Sequence, residues 1–177
     1  MNEYHEKFKE LQDKSTFKGQ QWFGERQRLV EKYAWAVPSE EAVFYLAEFE
    51  ELIEVGAGSG YWASCIEEAG GSVEAYDIDP PEETYHEVQR PLNLESGGDI
   101  HNSPLLMVWP PCHNNMSSRA AKEGPSHILY VGEPRGGCTA NEKFFEVLDE
   151  RYGLVAKVNI PSYAGIDDDL FHYVRKF

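Results

Sequence analysis

A three-layer α/β sandwich around a mostly parallel sheet is the fold this sequence predicts, and three observations carry the prediction. Short apolar runs alternate with segments of helical periodicity along most of the chain. A glycine-rich turn, Gly56 to Gly60, joins one of these runs directly to a helix. The last two runs follow each other with no helical segment between them, which makes them an antiparallel pair at the sheet edge. At 177 residues, with 41% hydrophobic and 13% aromatic side chains, the chain is long and apolar enough to bury one core.

The elements follow in order. The first ~20 residues, beginning MNEYHEKFKELQDK, read as a charged helix loosely attached to the rest. Trp22, Leu29, Val30 and Tyr33 return at helical spacing over Trp22 to Ala36. Pro38 ends that segment, and Ser39 is a fitting N-cap for a second helix, Glu40 to Glu48. The first strand is Glu51 to Val55, followed by a helix from Tyr61 to Glu68 that stops at Gly70 and Gly71. Val73 to Tyr76 closes a β-α-β unit, and Tyr85 to Val88 is the third strand. The polar, glycine-containing stretch Pro91 to Ser103 reads as a loop.

Pro104 to Trp109 and His127 to Val131 are buried strands. Asn141 to Glu150 is a helix with Phe144, Phe145 and Leu148 on one face, capped by Thr139 with Glu142 three residues on. Leu154 to Ile160 and Leu170 to Phe177 form the closing pair, joined by PSYAGIDDD. The chain thus divides into an N-terminal helical extension, residues 1–50, packed on a core domain, residues 51–177.

The formal net charge of −15 is large for this length and makes the surface repel phosphate backbones, so nucleic acid is a disfavoured partner. No apolar run approaches the ~20 residues of a membrane helix, and the N-terminus has no apolar signal core, so a soluble cytoplasmic protein is expected. The three cysteines form no CxxC pair and the six histidines no HExxH cluster, so no metal site is expected.

The chemistry concentrates in LIEVGAGSGYW, Leu52 to Trp62. Gly56, Gly58 and Gly60 let the chain turn sharply and let a ligand lie against bare backbone. The helix start beyond them offers free N–H donors and a partial positive charge. Asp77, 21 positions after Gly56, sits at the tip of the second strand, where a carboxylate can accept hydrogen bonds from both hydroxyls of a ribose. The spacing G-x-G-x-G differs from the dinucleotide fingerprint G-x-G-x-x-G, yet spacing alone leaves a nicotinamide or flavin cofactor open.

EVGAGSG followed by YDID resembles the first two motifs of class I S-adenosylmethionine-dependent methyltransferases, a resemblance that extends over about Leu52 to Phe177. It implies a Rossmann-like sandwich, S-adenosylmethionine as cofactor, and a methyl acceptor that the motifs do not name. By the same resemblance Gly56, Ala57, Gly58 and Gly60 pass beneath the cofactor's methionine part, and Glu54 helps hold its amino-acid end. Asp77 binds the ribose and Ile78 contacts the adenine. Asp99 is a candidate for the further acid that the family often places near adenine.

Trp109-Pro110-Pro111-Cys112 stands where amino-nitrogen methyltransferases of this family carry Asp/Asn-Pro-Pro-aromatic. The prolines fix a rigid exit from the strand. Trp109 replaces the usual polar residue, which turns the expectation from amino-adenine chemistry toward a wall, or a stacking face, for a planar or cationic acceptor. Trp109, Pro110 and Pro111 are therefore the candidate acceptor-side residues. Glu133 and Arg135 are candidate substrate contacts in the next loop, and Tyr33 and Trp35 are candidates for covering the pocket. The expected function is methyl transfer to a small molecule or protein; the alternative is a binding module of the same fold that has lost catalysis.

Overall fold

The computed structural model describes residues 2–13, 20–90 and 100–176, with the backbone alone at 20–22. Among these the order is α1 (Glu3–Asp13), α2 (Gln20–Lys32), α3 (Glu40–Ala47), β1 (Leu52–Val55), α4 (Tyr61–Glu68), β2 (Val73–Tyr76) and β3 (Val88–Gln89). There follow β4 (Pro104–Val108), α5 (Met116–Lys122), β5 (His127–Gly132), α6 (Glu142–Arg151), β6 (Tyr152–Asn159) and β7 (Asp169–Arg175). No helix among the described residues is long and apolar enough to cross a membrane.

The strands form one seven-stranded sheet in the order β3-β2-β1-β4-β5-β7-β6. The first five pair in parallel, while β7 runs antiparallel to both β5 and β6. The predicted helix-free strand pair is thus present, and it lies at the edge because no crossover helix carries the chain back across a face.

Side chains alternate across the sheet and give it two apolar faces. Ile53, Val55, Leu105, Met107, Ile128 and Tyr130 pack with Phe144 and Leu148 of α6. Leu52, Leu106, Leu129 and Val131 pack on the other side with Trp62 and Ile66 of α4 and Leu46 of α3. Trp62 is fully buried, and its Nε1–H donates to the Ala36 carbonyl at 3.1 Å, tying the segment before α3 to the core. Each large apolar side chain buried in this way contributes roughly 1.5–3 kcal/mol.

A third cluster fastens the N-terminal helices. Tyr4, Phe8 and Leu11 of α1 meet Tyr33, Val37, Tyr61 and Tyr163. The rings of Tyr4 and Tyr33 stack at 4.9 Å, and the Tyr4 and Tyr163 hydroxyls share a hydrogen bond of 3.2 Å. The weak attachment expected for the first residues is therefore wrong for Glu3–Asp13. Tyr4 hides its apolar ring there and keeps a partner for its hydroxyl.

Other differences have local causes. The third strand is Val88–Gln89 rather than Tyr85 to Val88. Tyr85 spends its ring on Tyr61, 4.9 Å away, and its N–H on the Ser59 carbonyl at 2.8 Å, so it belongs to a packed turn. Helix α5 has no counterpart in the sequence reading. It buries Ser117, Ser118, Ala120 and Ala121, small residues that carry no apolar periodicity. The cap of α6 is Asn141, whose Oδ1 accepts the Phe144 N–H at 3.0 Å, and not Thr139. Thr139 is buried, and its Oγ1 instead accepts the Glu133 N–H at 2.8 Å. Asp99, Phe177 and most of the predicted loop Pro91 to Ser103 lie outside the described residues, as does the Trp22 side chain.

Candidate functional site

The strand order reverses beside β1: the chain moves from β1 to β2 on one side and later returns to place β4 on the other. Crevices at such switch points, outside the carboxyl ends of the strands, are the ligand sites of open α/β sheets. A cleft of about 600 Å³ opens there, lined in part by Trp35, Gly56, Gly58, Asp77, Ile78 and Trp109. Its size falls in the ~300–1,000 Å³ range of small-molecule sites.

The floor is the turn between β1 and α4. Gly58 has φ +55°, and a Cβ there would find open space, so bare backbone faces the cleft. Gly60 has φ +71°, and a Cβ would stand 2.9 Å from Val88 Cγ2. That glycine closes the turn against β3 rather than facing a ligand. Ala57 packs on the α4 side of the sheet, so Ala57 and Gly60 shape the turn from behind.

Two carboxyl groups bracket this turn. Asp77 Oδ2 accepts the Gly58 N–H at 2.8 Å, and Oδ1 accepts the Asp79 N–H at 2.9 Å. Each oxygen keeps a lone pair for a further donor, and Asp77 lines the cleft. Glu54 lies deeper, 1% exposed, with Oε2 lacking a partner among the described residues. Burial, and then the neighbouring charge of Asp77, push its carboxyl up to about 8. An orphaned oxygen in that place is costly unless a cationic donor meets it. At the rim Ile78 is 80% exposed, a large apolar side chain with one face free.

The opposite wall is the exit from β4. Trp109 has φ +51°, a left-handed conformation uncommon for a bulky residue, which costs of order 1–3 kcal/mol. It is held by its N–H, donated to the Val131 carbonyl at 2.7 Å, and by its ring, stacked on Trp35 at 4.9 Å and 10°. Its Nε1–H donates to Asp168 Oδ1 at 2.9 Å. Asp168 is buried, and burial pushes its carboxyl up to about 7 although the indole hydrogen bond pulls the other way. Pro111 lines the cleft, whereas Pro110 is buried and its carbonyl is taken by the Ala140 N–H at 2.7 Å.

Thus Gly56, Gly58, Asp77, Ile78, Trp109 and Pro111 come together around one cleft, whereas Glu54 is buried on β1 next to Val55, which lines it. Trp35 joins them, while Tyr33 sits in the aromatic cluster of α1. Glu133 and Arg135 do not line it. Glu133 is buried and staples its own loop, accepting the Cys138 N–H at 2.6 Å. Arg135 pairs with Asp149 at 2.7 Å and Glu142 at 3.2 Å along α6. Sequence reasoning missed Asp168, which is indistinguishable in the run Asp167-Asp168-Asp169. It also missed Met116 and Arg119 on the unforeseen α5, both of which line the cleft.

No family model matches the chain, and no curated protein matches it in sequence. Solved structures match in shape. Magnesium protoporphyrin IX methyltransferase from Synechocystis, with bound S-adenosylmethionine, superposes with a TM-score of 0.59 at 13% identity, over 94% of this chain and 90% of that one. The 1,6-didemethyltoxoflavin-N1-methyltransferase from Burkholderia thailandensis, with S-adenosylhomocysteine, gives 0.55 at 16% identity, over 78% of each chain. The N-methyltransferase NodS from Bradyrhizobium japonicum, also with S-adenosylhomocysteine, gives 0.54 at 13% identity, over 77% of this chain and 84% of that one. With a mostly parallel sheet, a single antiparallel strand at the β5–β7–β6 edge and helices on both faces, the chain has the Rossmann-like fold that these methyltransferases share.

Proposed function

We propose that the chain is an S-adenosylmethionine-dependent methyltransferase acting on a small molecule or a protein. One observation carries the reading: a buried carboxyl, Glu54, whose Oε2 has no partner among the described residues, and a cleft-lining carboxylate, Asp77, bracket an open glycine turn at the switch point of the sheet. This arrangement suits a ligand with a cationic amine at one end and a ribose next to it. The cofactor, when bound, supplies a methyl group activated by a sulfonium.

In this reading Glu54 Oε2 receives the cofactor's ammonium, and the free lone pairs of Asp77 accept the ribose hydroxyls. Ile78 covers the adenine. The bare backbone of Gly56 and Gly58 leaves room for the methionine part, while Ala57 and Gly60 shape the turn behind it. Trp109 and Pro111 form the acceptor side, with Pro110 locking the chain path between them and Trp35 closing over the top. Stacked indoles exclude water and attract a planar or cationic acceptor, worth about 0.5–2 kcal/mol. Asp168 acts as a positioning residue through the Trp109 indole. An acceptor that is already nucleophilic needs mainly alignment for the transfer. The charge of −15 disfavours nucleic acid as that acceptor, and two of the structural neighbours bear the names of small-molecule methyltransferases.

Titration calorimetry with S-adenosylmethionine and S-adenosylhomocysteine tests the cofactor. D77A, folded by circular dichroism, is expected to bind ~10–100-fold more weakly, the loss of one or two hydrogen bonds to a charged group. Absence of heat with either ligand in the folded wild type overturns the proposal. A labelled-methyl assay on cell fractions then separates an enzyme from a binding module.

A further inference from the structure

We propose that Cys112 and Cys138 are a thiol-oxidation site, closing a reversible disulfide between the loops that leave β4 and β5. This inference does not depend on the proposed methyltransferase activity.

The backbone sets the two cysteines opposite each other. Pro111 and Thr139 form an isolated antiparallel bridge. Pro111 has no N–H, so the flanking residues must carry the bridge. On one side the Ala140 N–H donates to the Pro110 carbonyl at 2.7 Å. On the other side the antiparallel register of the bridge carries Cys112 toward Cys138. Opposed residues of an antiparallel pair have Cα atoms about 4.5–5.5 Å apart, inside the ~4.4–6.8 Å window of disulfides. Opposed side chains also leave on the same side. Thr139 points inward and is buried, whereas Cys112 and Cys138 are both exposed.

The third cysteine does not compete. Cys65 is buried in α4, where burial pushes its thiol up to about 12 and leaves it almost wholly protonated. The thiol of Cys138 is raised as well, first by the Glu133 carboxylate that accepts its N–H and also by the charge of Cys112. The carboxylate beside Cys138 disfavours its thiolate, so Cys138 is the poorer first nucleophile and takes the resolving step.

With glutathione disulfide as oxidant, the Cys112 thiolate attacks its S–S bond and releases one glutathione thiolate, giving a mixed disulfide. Cys138 loses its proton and attacks the Cys112 sulfur, releasing the second glutathione. Two protein thiols are oxidised by two electrons, one external disulfide is reduced, and the two thiol protons end on the two released glutathione thiolates. An exposed bond of this kind is readily reduced again. Because Pro111 and Trp109 line the cleft, closing it fixes the wall of that cleft.

The test treats the folded full chain with glutathione disulfide under native conditions. The expected product is a monomer lighter by two hydrogen atoms, with one cross-linked peptide joining Cys112 and Cys138. It reverts with dithiothreitol, and its Tm is higher by roughly 5 °C or more, because the unfolded chain is constrained. C112S and C138S should each carry a single glutathione instead and show no such rise. Wild-type protein that retains glutathione on both cysteines, or joins only into disulfide-linked dimers, overturns the inference.

Discussion

Replacing Glu54 by glutamine separates what this residue costs the fold from what it contributes to binding. The carboxyl is buried with Oε2 unpartnered among the described residues and is held up to about 8, against 4.5 in the unfolded chain. Folding at neutral pH therefore takes up close to one proton. The associated stability is fully present below 4.5 and falls as pH rises toward 8. Between 4.5 and 7 the loss amounts to about 3 kcal/mol, at 1.36 kcal/mol per pH unit.

A glutamine has the same shape and escapes this penalty, but its NH₂ needs acceptors in the same apolar place, which offsets part of the gain. E54Q is expected to stabilise the ligand-free protein at pH 7 by about 1–3 kcal/mol, a Tm rise of roughly 2–10 °C, with the advantage gone near pH 4.5. Binding should move the opposite way. The variant loses a charged contact to the ammonium and binds S-adenosylmethionine at least ~10-fold more weakly. The wild type should also release a substantial fraction of a proton on binding at pH 7, as Glu54 ionises against the ammonium. That release is read from binding enthalpies in buffers of different ionisation enthalpy. Equal proton release by wild type and E54Q, or a less stable variant with undiminished affinity, would refute the reasoning.

Three further outcomes are expected. W109F leaves the buried Asp168 carboxyl without its donor and should cost ~1–3 kcal/mol in urea unfolding; the cost should largely vanish in a D168L background, and additivity in that double-mutant cycle would contradict the coupling. Tyr45, His172 and His127 form a hydrogen-bonded row at 2.7 and 2.8 Å, in which burial, and then His127, lower His172 to about 4 from 6.5. Its neutral form stabilises the fold above 6.5, and this contribution is lost as pH falls toward 4, so the stability advantage of wild type over H172Q should shrink across that window; a constant difference would exclude the linkage. G60A places a methyl 2.9 Å from Val88 Cγ2 at φ +71° and should lower stability by ~1–3 kcal/mol. G58A, with open space ahead of it, should cost less stability and more cofactor affinity; the reverse ranking in thermal melts and calorimetry would reject the roles given to the two glycines.

The glycine turn was legible because it is local. Strand, turn and helix are adjacent in the chain, and Gly58 and Asp77 meet through a single β-α-β unit. The same holds for Ser39, which caps α3 by accepting the Ala42 N–H at 3.1 Å. Where the signal was weak the reading slipped. Thr139 has a capping residue's chemistry, but Tyr130 and Glu133 engage it first. The small residues of α5 carry no periodicity, so Met116 and Arg119 went unseen.

By itself the sequence determined the alternation of strands and helices, the helix-free closing pair, and the position of a glycine turn and an acid at the tips of neighbouring strands. These follow from periodicity and backbone permissiveness over a few residues at a time. Only the tertiary structure decided that Trp109 stacks on Trp35 and reaches Asp168, 59 positions away, and that Pro111 pairs with Thr139. Those meetings depend on strand register and on the path of the loops leaving β4, β5 and β6. Many distant packing contacts set these together, and no local pattern of residues records them.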